Sequence, residues 1–136
     1  MQKYAIGMFF LVVFMVAWSC NQTVQEAGLK SEGEVLAKKY CLNCHNPTAG
    51  QKARIAPPLI QIRDVYLSAY GDRDSFVAAI VDFVLHPEAN KALLDDAVKQ
   101  FGLMPRLSYK PEVLEQIAIH MLDDELIAPD WYKGLE

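Results

Sequence analysis

The sequence predicts a small all-α domain, and three observations lead to that fold class. The chain has 136 residues, which is the size of one domain with a single hydrophobic core. Apolar residues recur at helical spacing in several stretches, and Gly- or Pro-containing loops separate these stretches. No stretch shows the sustained alternation of apolar and polar residues that predicts a half-buried strand. We therefore expect helices around one core and no sheet.

The first 19 residues have the pattern of a secretory signal peptide. Lys3 gives a short positive start, and residues 5–18 are an uncharged, mostly apolar run. This run is shorter than the roughly 20 residues of a membrane-spanning helix. Ala17-Trp18-Ser19-Cys20 then resembles a bacterial lipobox, in which the Cys becomes the lipidated N-terminus. We expect acyl chains on Cys20 to tether the protein to a membrane, with unlipidated cleavage nearby or a retained anchor as alternatives.

A polar segment separates this leader from the predicted domain. Residues 20–30 lack hydrophobic periodicity and predict a flexible tether, after which residues 31–136 form the domain. The formal net charge is -4, and an acidic chain of this kind excludes non-specific nucleic-acid binding, which needs a basic face. A secretory leader places the domain outside the cytoplasm, in the cell envelope of a bacterium, facing the periplasm or the outer surface.

Capping residues and helical spacing predict the first two helices of the domain. Ser31 and Glu34 have the spacing of a capping box, so a helix begins near residue 32 and continues to the first of two cysteines. Pro57-Pro58 forces extended backbone before a second apolar-periodic stretch. Gly71 is expected to end that second helix.

Three further helical stretches follow. Asp74 is expected to cap a helix over residues 75–85. Residues 88–101 predict a weaker helix that ends at Gly102. Pro111 is well placed in the first turn of the last helix, where its missing N–H costs nothing, and apolar residues follow it at helical spacing.

The pentapeptide Cys41-Leu42-Asn43-Cys44-His45 carries the chemistry of the chain. It has the form C-x-x-C-H, the attachment signal for c-type haem. Two thiols three positions apart reach the two vinyl groups of one porphyrin and form thioethers with them. The adjacent imidazole reaches the iron from the same face. The motif predicts one covalent haem c, attached at Cys41 and Cys44, with His45 as an axial ligand of the iron.

Other uses of two nearby cysteines fit the sequence less well. A thioredoxin-like dithiol would follow a strand in a βαβ pattern, and no strand is predicted. A structural zinc site needs four ligands at finger-like spacing, and the chain has no second Cys pair. A structural disulfide between Cys41 and Cys44 would leave the adjacent His45 as a coincidence.

Several side chains are candidates for the second axial ligand. Met104 lies in Gly102-Leu103-Met104-Pro105, a loop between helices, and its thioether is the expected ligand from the opposite face. Met121 has core spacing in the last helix, where methionines usually serve packing. His86 stands at a helix C-terminus, where an imidazolium meets the helix dipole favourably, and His120 lies within the last helix. Ligation by either histidine, or an open site, remains an alternative.

With these residues the chain resembles a class I monohaem cytochrome c over roughly residues 31–126. In that family an N-terminal helix continues into C-x-x-C-H, a Pro-containing loop follows, and a late Met-Pro precedes the terminal helix. The corresponding parts here are residues 33–45, Pro57-Pro58-Leu59, Met104-Pro105 and residues 111–126.

The resemblance implies how the haem is supported. The carbonyl of Pro57 or Pro58 is expected to accept a hydrogen bond from His45, which would fix the imidazole tautomer and strengthen it as a donor to iron. Leu59 is expected to help exclude water from the ring.

The resemblance also implies a close crossing between the first and last helices. Gly33 has the place of the small residue that allows it, which would compensate for the cost of a glycine in a helix. The sequence departs from the family at His120, where an aromatic residue is usual, and in the length of residues 60–102.

Ligation by His45 and Met104 fills both axial positions and predicts one-electron transfer between redox protein partners. The expected protein is a carrier and not an enzyme, because nothing resembles a nucleophile and its base. The acid pairs Asp95-Asp96 and Asp123-Asp124 are expected to be solvated helix faces. Two alternatives stay open: a haem-based sensor or gas-binding protein with a displaceable Met104, and a fixed electron-relay subunit of a larger oxidoreductase complex.

Overall fold

The computed structural model describes residues 32–135, and within them the protein is all-α, without a strand. The predicted signal peptide, Cys20, the tether and Ser31 lie outside the described residues. The helices are α1 (32–40), α2 (Leu59–Tyr70), α3 (Arg73–Leu85), α4 (Asp95–Phe101) and α5 (Pro111–Asp123), with a 3₁₀ turn at Ala89–Lys91. No helix in this part of the chain is long and apolar enough to cross a membrane.

Helix α2 begins and ends where the sequence predicts. Pro58 is its N-cap and has extended backbone, with φ -65° and ψ 152°. Gly71 is its C-cap and adopts the left-handed conformation at φ 73°, and its N–H donates to the carbonyl of Leu67. A side chain at this φ would be strained, so a glycine suits the end of the helix.

The N-cap of α3 is Asp72, and the prediction of Asp74 was wrong. The Asp72 carboxylate accepts a hydrogen bond of 3.0 Å from the backbone N–H of Ser75, and this bond lowers the pKa of Asp72. The carboxylate thereby satisfies one of the free N–H groups of the first turn. Asp74 lies within that turn, where its charge meets the positive end of the helix dipole.

Residues 88–101 form two short elements, so the expected single helix was wrong. After the 3₁₀ turn, Ala92 has extended backbone at φ -70° and ψ 123°, which interrupts the helix. Helix α4 begins again with Asp95 and Asp96 in its first turn, where acidic side chains favour a new N-terminus. Gly102 ends α4 at φ 83°, as predicted.

Helix α5 begins at Pro111 as predicted and packs against α3, while α2 contacts both helices. Its buried face includes Met121, which confirms the packing role expected for that methionine. The core as a whole consists of Ala37, Leu59, Tyr66, Phe76, Ile80, Leu114, Ile117, Ala118 and Met121.

Helices α1 and α5 cross closely at Gly33. A Cβ atom placed on Gly33 would overlap the carbonyl oxygen of Gln116 and would lie 2.7 Å from the Cβ of His120. The backbone of α1 therefore approaches α5 within a distance that no side chain at residue 33 would permit. This confirms the close crossing expected for Gly33 and places the buried His120 beside it.

Candidate functional site

The C-x-x-C-H pentapeptide forms a tight turn that continues directly from α1. The N–H of Cys41 donates to the carbonyl of Ala37 over 2.8 Å, and the N–H groups of Cys44 and His45 donate to the carbonyl of Cys41 over 3.1 and 2.9 Å. These are the i to i-4 and i to i-3 bonds of helical turns. Residues three apart in such a turn lie on one side, so Cys41 and Cys44 are placed to reach one ligand.

The two thiols lie in different surroundings. Cys41 is partly buried and packs against the hydrophobic core, and this burial raises its pKa to about 11, with a smaller contribution from neighbouring Cys44. Cys44 is exposed, and both cysteines are free thiols. Cys41 is thus the more deeply placed thiol of the turn and Cys44 the more accessible one.

The ring of His45 is buried and held in one orientation. Its Nδ1 lies 2.7 Å from the carbonyl oxygen of Pro57, and because a carbonyl only accepts, Nδ1 must carry the proton and donate. Burial lowers the pKa of His45, an effect that this hydrogen bond partly opposes. The ring is therefore the neutral tautomer that bears its lone pair on Nε2, the form that binds a metal.

The choice of Pro57 over Pro58 has a simple cause. The carbonyl of Pro58 accepts from the N–H groups of Gln61 and Ile62 over 3.0 and 3.3 Å, in the first turn of α2. That carbonyl is committed to the helix, whereas the carbonyl of Pro57 faces His45. Pro58 is itself fully buried, and Leu59 follows in the core. Packing therefore fixes the backbone directly after the Pro57 carbonyl that accepts from His45.

Met104 lies in the irregular segment between α4 and α5 and is partly buried. This segment is fixed at both of its ends. Phe101, the last residue of α4 and directly before the segment, lies under the guanidinium of Arg54, with 5.1 Å from Cζ to the ring centroid. Tyr109, near its end, contacts the ring of Tyr40 with centroids 4.8 Å apart. Because Tyr40 immediately precedes Cys41, the Met104 segment is attached to elements on both sides of the pentapeptide.

The other candidate ligands have partners elsewhere. His86 is the C-cap of α3, its side chain is 52% exposed, and its Nδ1 lies 3.1 Å from Asp82. His120 is buried at the crossing of α1 and α5, and its Nδ1 lies 2.7 Å from Asp124. Within residues 32–135, no group of three or more His, Cys, Asp or Glu side chains is arranged to hold a metal ion.

The two acid pairs differ from one another. Asp96 is almost fully exposed, as expected of a solvated face. Asp123 instead forms a 2.6 Å ion pair with Arg73, and Asp124 contacts His120. The expectation of a merely solvated face was therefore wrong for Asp123-Asp124, because the end of α5 lies against α3 and its own preceding turn.

The C-terminal tail makes a set of contacts that were not predicted from the sequence. The Trp131 Nε1–H donates to the carbonyl of Ala49 over 3.3 Å, and the Trp131 ring lies under Arg54, 4.4 Å from Cζ to centroid. The Tyr132 hydroxyl donates to Asp64 over 2.8 Å. The adjacent Trp131-Tyr132 pair beyond the last helix was the signal that could have indicated packing against the domain.

Two large apolar side chains are exposed on the segments beside the site. Ile55 is 64% exposed and Leu103 is 41% exposed, and they precede Pro57 and Met104 by two residues and one residue. An apolar macrocycle bound between these segments would remove such surface from water. Together with two thiols and a neutral imidazole, the residues fit a covalently attached haem.

Comparison of the chain with protein families, curated protein sequences and solved structures found no match.

Proposed function

We propose that the protein is an electron carrier of the bacterial cell envelope, with one haem c attached to Cys41 and Cys44. His45 and Met104 are its axial ligands. The observation that carries this proposal is the C-x-x-C-H turn, in which the ring of His45 donates from Nδ1 to Pro57 and keeps Nε2 for a metal. The bound haem supplies an iron that alternates between Fe(II) and Fe(III) and so carries one electron.

Each side chain has a defined part in that function. The thiols of Cys41 and Cys44 add across two vinyl groups, which holds the group even when an axial ligand dissociates. The hydrogen bond to Pro57 prevents His45 from rotating and strengthens it as a donor. Met104 supplies a soft thioether, which favours the ferrous state and raises the reduction potential above that of a bis-histidine site.

The contacts at the ends of the Met104 segment support its role as the second ligand. Arg54 contacts the start of the segment and Tyr40 its end, and these two residues lie on either side of Cys41-His45. His86 and His120 each have a carboxylate partner. With His45 and Met104 both holding the iron, the site would leave no open position for oxygen or peroxide and would suit electron exchange with redox protein partners.

The proposed location follows from the leader. Residues 1–19 would be removed, and lipid on Cys20 would tether the domain through residues 20–30 to a membrane, as in membrane-anchored members of the class I cytochrome c family. Changing Cys20 to Ser should release the protein, with its haem, into the soluble periplasmic fraction. A protein that remains in the membrane fraction after this change contradicts the lipid tether.

Carbon monoxide provides the test of the carrier function. Reduced, haem-loaded protein should show no rapid spectral change when carbon monoxide is added, because Met104 occupies the site that the gas needs. Met104→Ala should bind the gas at once and serves as the positive control. Rapid stoichiometric binding by the unaltered protein would favour a gas sensor and contradict an electron carrier.

A further inference from the structure

We propose that Arg54 is a positioning residue that, together with Trp131, locks the His45 support to the Met104 segment and so sets how firmly Met104 holds the iron. The inference rests on the proposed His45 and Met104 ligation. It assigns a role in that site to Arg54 and to the C-terminal tail.

Arg54 connects three parts of the chain. Its guanidinium lies 4.4 Å from the ring centroid of Trp131 and 5.1 Å from that of Phe101. Its Nη2 donates to the side-chain oxygen of Gln100 over 3.3 Å, and its Nε donates to the carbonyl of Gln51 over 3.2 Å. One side chain thus joins its own loop, the end of α4 and the C-terminal tail.

The position of Arg54 relates these contacts to the iron ligands. Pro57, which holds His45, follows Arg54 by three residues, and Met104 follows Phe101 by three residues. Both three-residue stretches are irregular backbone, so no helix within them fixes the position of Pro57 relative to that of Met104. The contact between Arg54 and Phe101 is therefore a direct connection between the two segments on which the ligands depend.

Two hydrogen bonds from the C-terminal tail also restrain the loop that carries Arg54 and Pro57. Trp131 bonds to Ala49, ahead of Arg54 and Pro57, while Tyr132 bonds to Asp64, in α2 behind them. Asp64 is also paired with Arg63 at 2.9 Å. Burial, followed by the bond to Asp64, raises the pKa of Tyr132 to about 12, so the hydroxyl stays protonated and donates. These two contacts enclose the segment that carries Pro57.

The chemistry of Arg54 suits this role. A guanidinium is planar, stays charged and stacks on aromatic rings while its N–H groups donate to oxygens in the same plane. A lysine keeps the charge but has neither the planar stacking nor the fork of donors. Without Arg54, the Met104 segment keeps the contact of Tyr109 with Tyr40 and loses its attachment at Phe101, so Met104 should leave the iron more readily.

Imidazole competes with Met104 for ferric iron, so the affinity for imidazole measures how firmly Met104 binds the iron. In haem-loaded, full-length protein, Arg54→Leu should bind imidazole about 5- to 10-fold more tightly, the factor expected for losing a cation–π contact. Arg54→Lys should give an intermediate affinity, because it restores the charge without the stacking. Lys52→Leu, which removes a charge from an exposed residue of the same loop, should leave the affinity unchanged and is the matched control.

The outcome separates this inference from the proposed function. An unaltered protein without a methionine-to-iron charge-transfer band would contradict the proposed ligation itself. A normal band in the unaltered protein, with equal imidazole affinity in Arg54→Leu and Lys52→Leu, would overturn only the role of Arg54. If Arg54→Leu does not fold, Trp131→Phe keeps an aromatic surface and loses the bond to Ala49. It should then raise imidazole affinity by a smaller factor, and an unchanged affinity would again overturn the inference.

A merely structural role would weaken the whole domain without affecting the ligand specifically. Amide hydrogen exchange on the same holoproteins distinguishes these cases. Arg54→Leu should accelerate exchange in residues 46–56 and 102–110, while the core of α3 and α5 exchanges at its original rate. Uniform acceleration across the domain would contradict a positioning role.

Discussion

The His45 side and the Met104 side of the proposed haem are built in different ways. His45 lies five residues after the end of α1, its backbone continues the helical turn, and its ring bonds to Pro57. Met104 lies in a segment without helix or strand, fixed through side-chain contacts at Phe101 and Tyr109. The first side depends on local chain geometry, and the second depends on tertiary contacts. The thioether should therefore be the ligand that is more easily displaced.

The most damaging change to the His45 side is the loss of both thiols. Cys41→Ala with Cys44→Ala should abolish covalent haem completely, because no thioether can form, and should destabilise the fold, because the proposed haem would fill part of its interior. Haem staining after a denaturing gel and circular dichroism of the purified variant measure the two effects. Cys20→Ser, which removes a cysteine outside the pentapeptide, is the control and should keep its haem. Staining of the double variant at the original strength would contradict the attachment site.

The corresponding change on the Met104 side leaves the haem attached. Met104→Ala should lower the reduction potential by on the order of 100 mV, because the soft thioether that favours Fe(II) is gone. Met121→Leu is the matched control, since Met121 is a buried core residue of α5, and it should keep the potential and the spectrum. An unchanged potential in Met104→Ala would show that another residue binds the iron.

The close crossing of α1, the helix that leads to His45, with α5 can be tested by adding one methyl group at residue 33. Gly33→Ala should destabilise the domain by about 2–3 kcal/mol, because the new Cβ would overlap the backbone of α5 and force the helices apart. Gly50→Ala is the control, because a Cβ there meets nothing within 4 Å. Urea unfolding measures both variants. Equal stability of Gly33→Ala and Gly50→Ala would exclude the close crossing.

The smallest effect is expected at the outer end of the tail. Tyr132→Phe removes the hydroxyl that donates to Asp64 and should cost about 1 kcal/mol of unfolding free energy, the usual net value of a hydrogen bond. Urea unfolding of the haem-loaded variant gives this value. Unfolding at the urea concentration of the unaltered protein would mean that the tail contact contributes nothing to stability.

Much of the fold could be predicted because its signals are local. Gly71 and Gly102 end helices through their own backbone conformation, and Pro111 begins one through its missing N–H. Asp72 was missed in favour of Asp74 because both are acidic residues at helix-start spacing. Only the bond from Ser75 decides between them.

The candidate site also has features that could be predicted from the sequence and features that could not. The C-x-x-C-H pattern and the support of His45 by a prolyl carbonyl could be predicted, since their parts are adjacent in sequence or implied by a family pattern. The Arg54 and Trp131 contacts could not, because they join residues 77 positions apart and nothing local in either residue indicates the other. The ion pair of Asp123 with Arg73 was missed for the same reason.

Spectroelectrochemistry of the purified, haem-loaded protein tests the central claim most directly. The haem should stay with the chain after denaturation, titrate as a single one-electron couple and remain six-coordinate and low-spin in both states. The ferric form should show a methionine-to-iron charge-transfer band that Met104→Ala abolishes. Haem that is extracted by acidified organic solvent, or a low-spin spectrum that Met104→Ala leaves unchanged, would contradict the account.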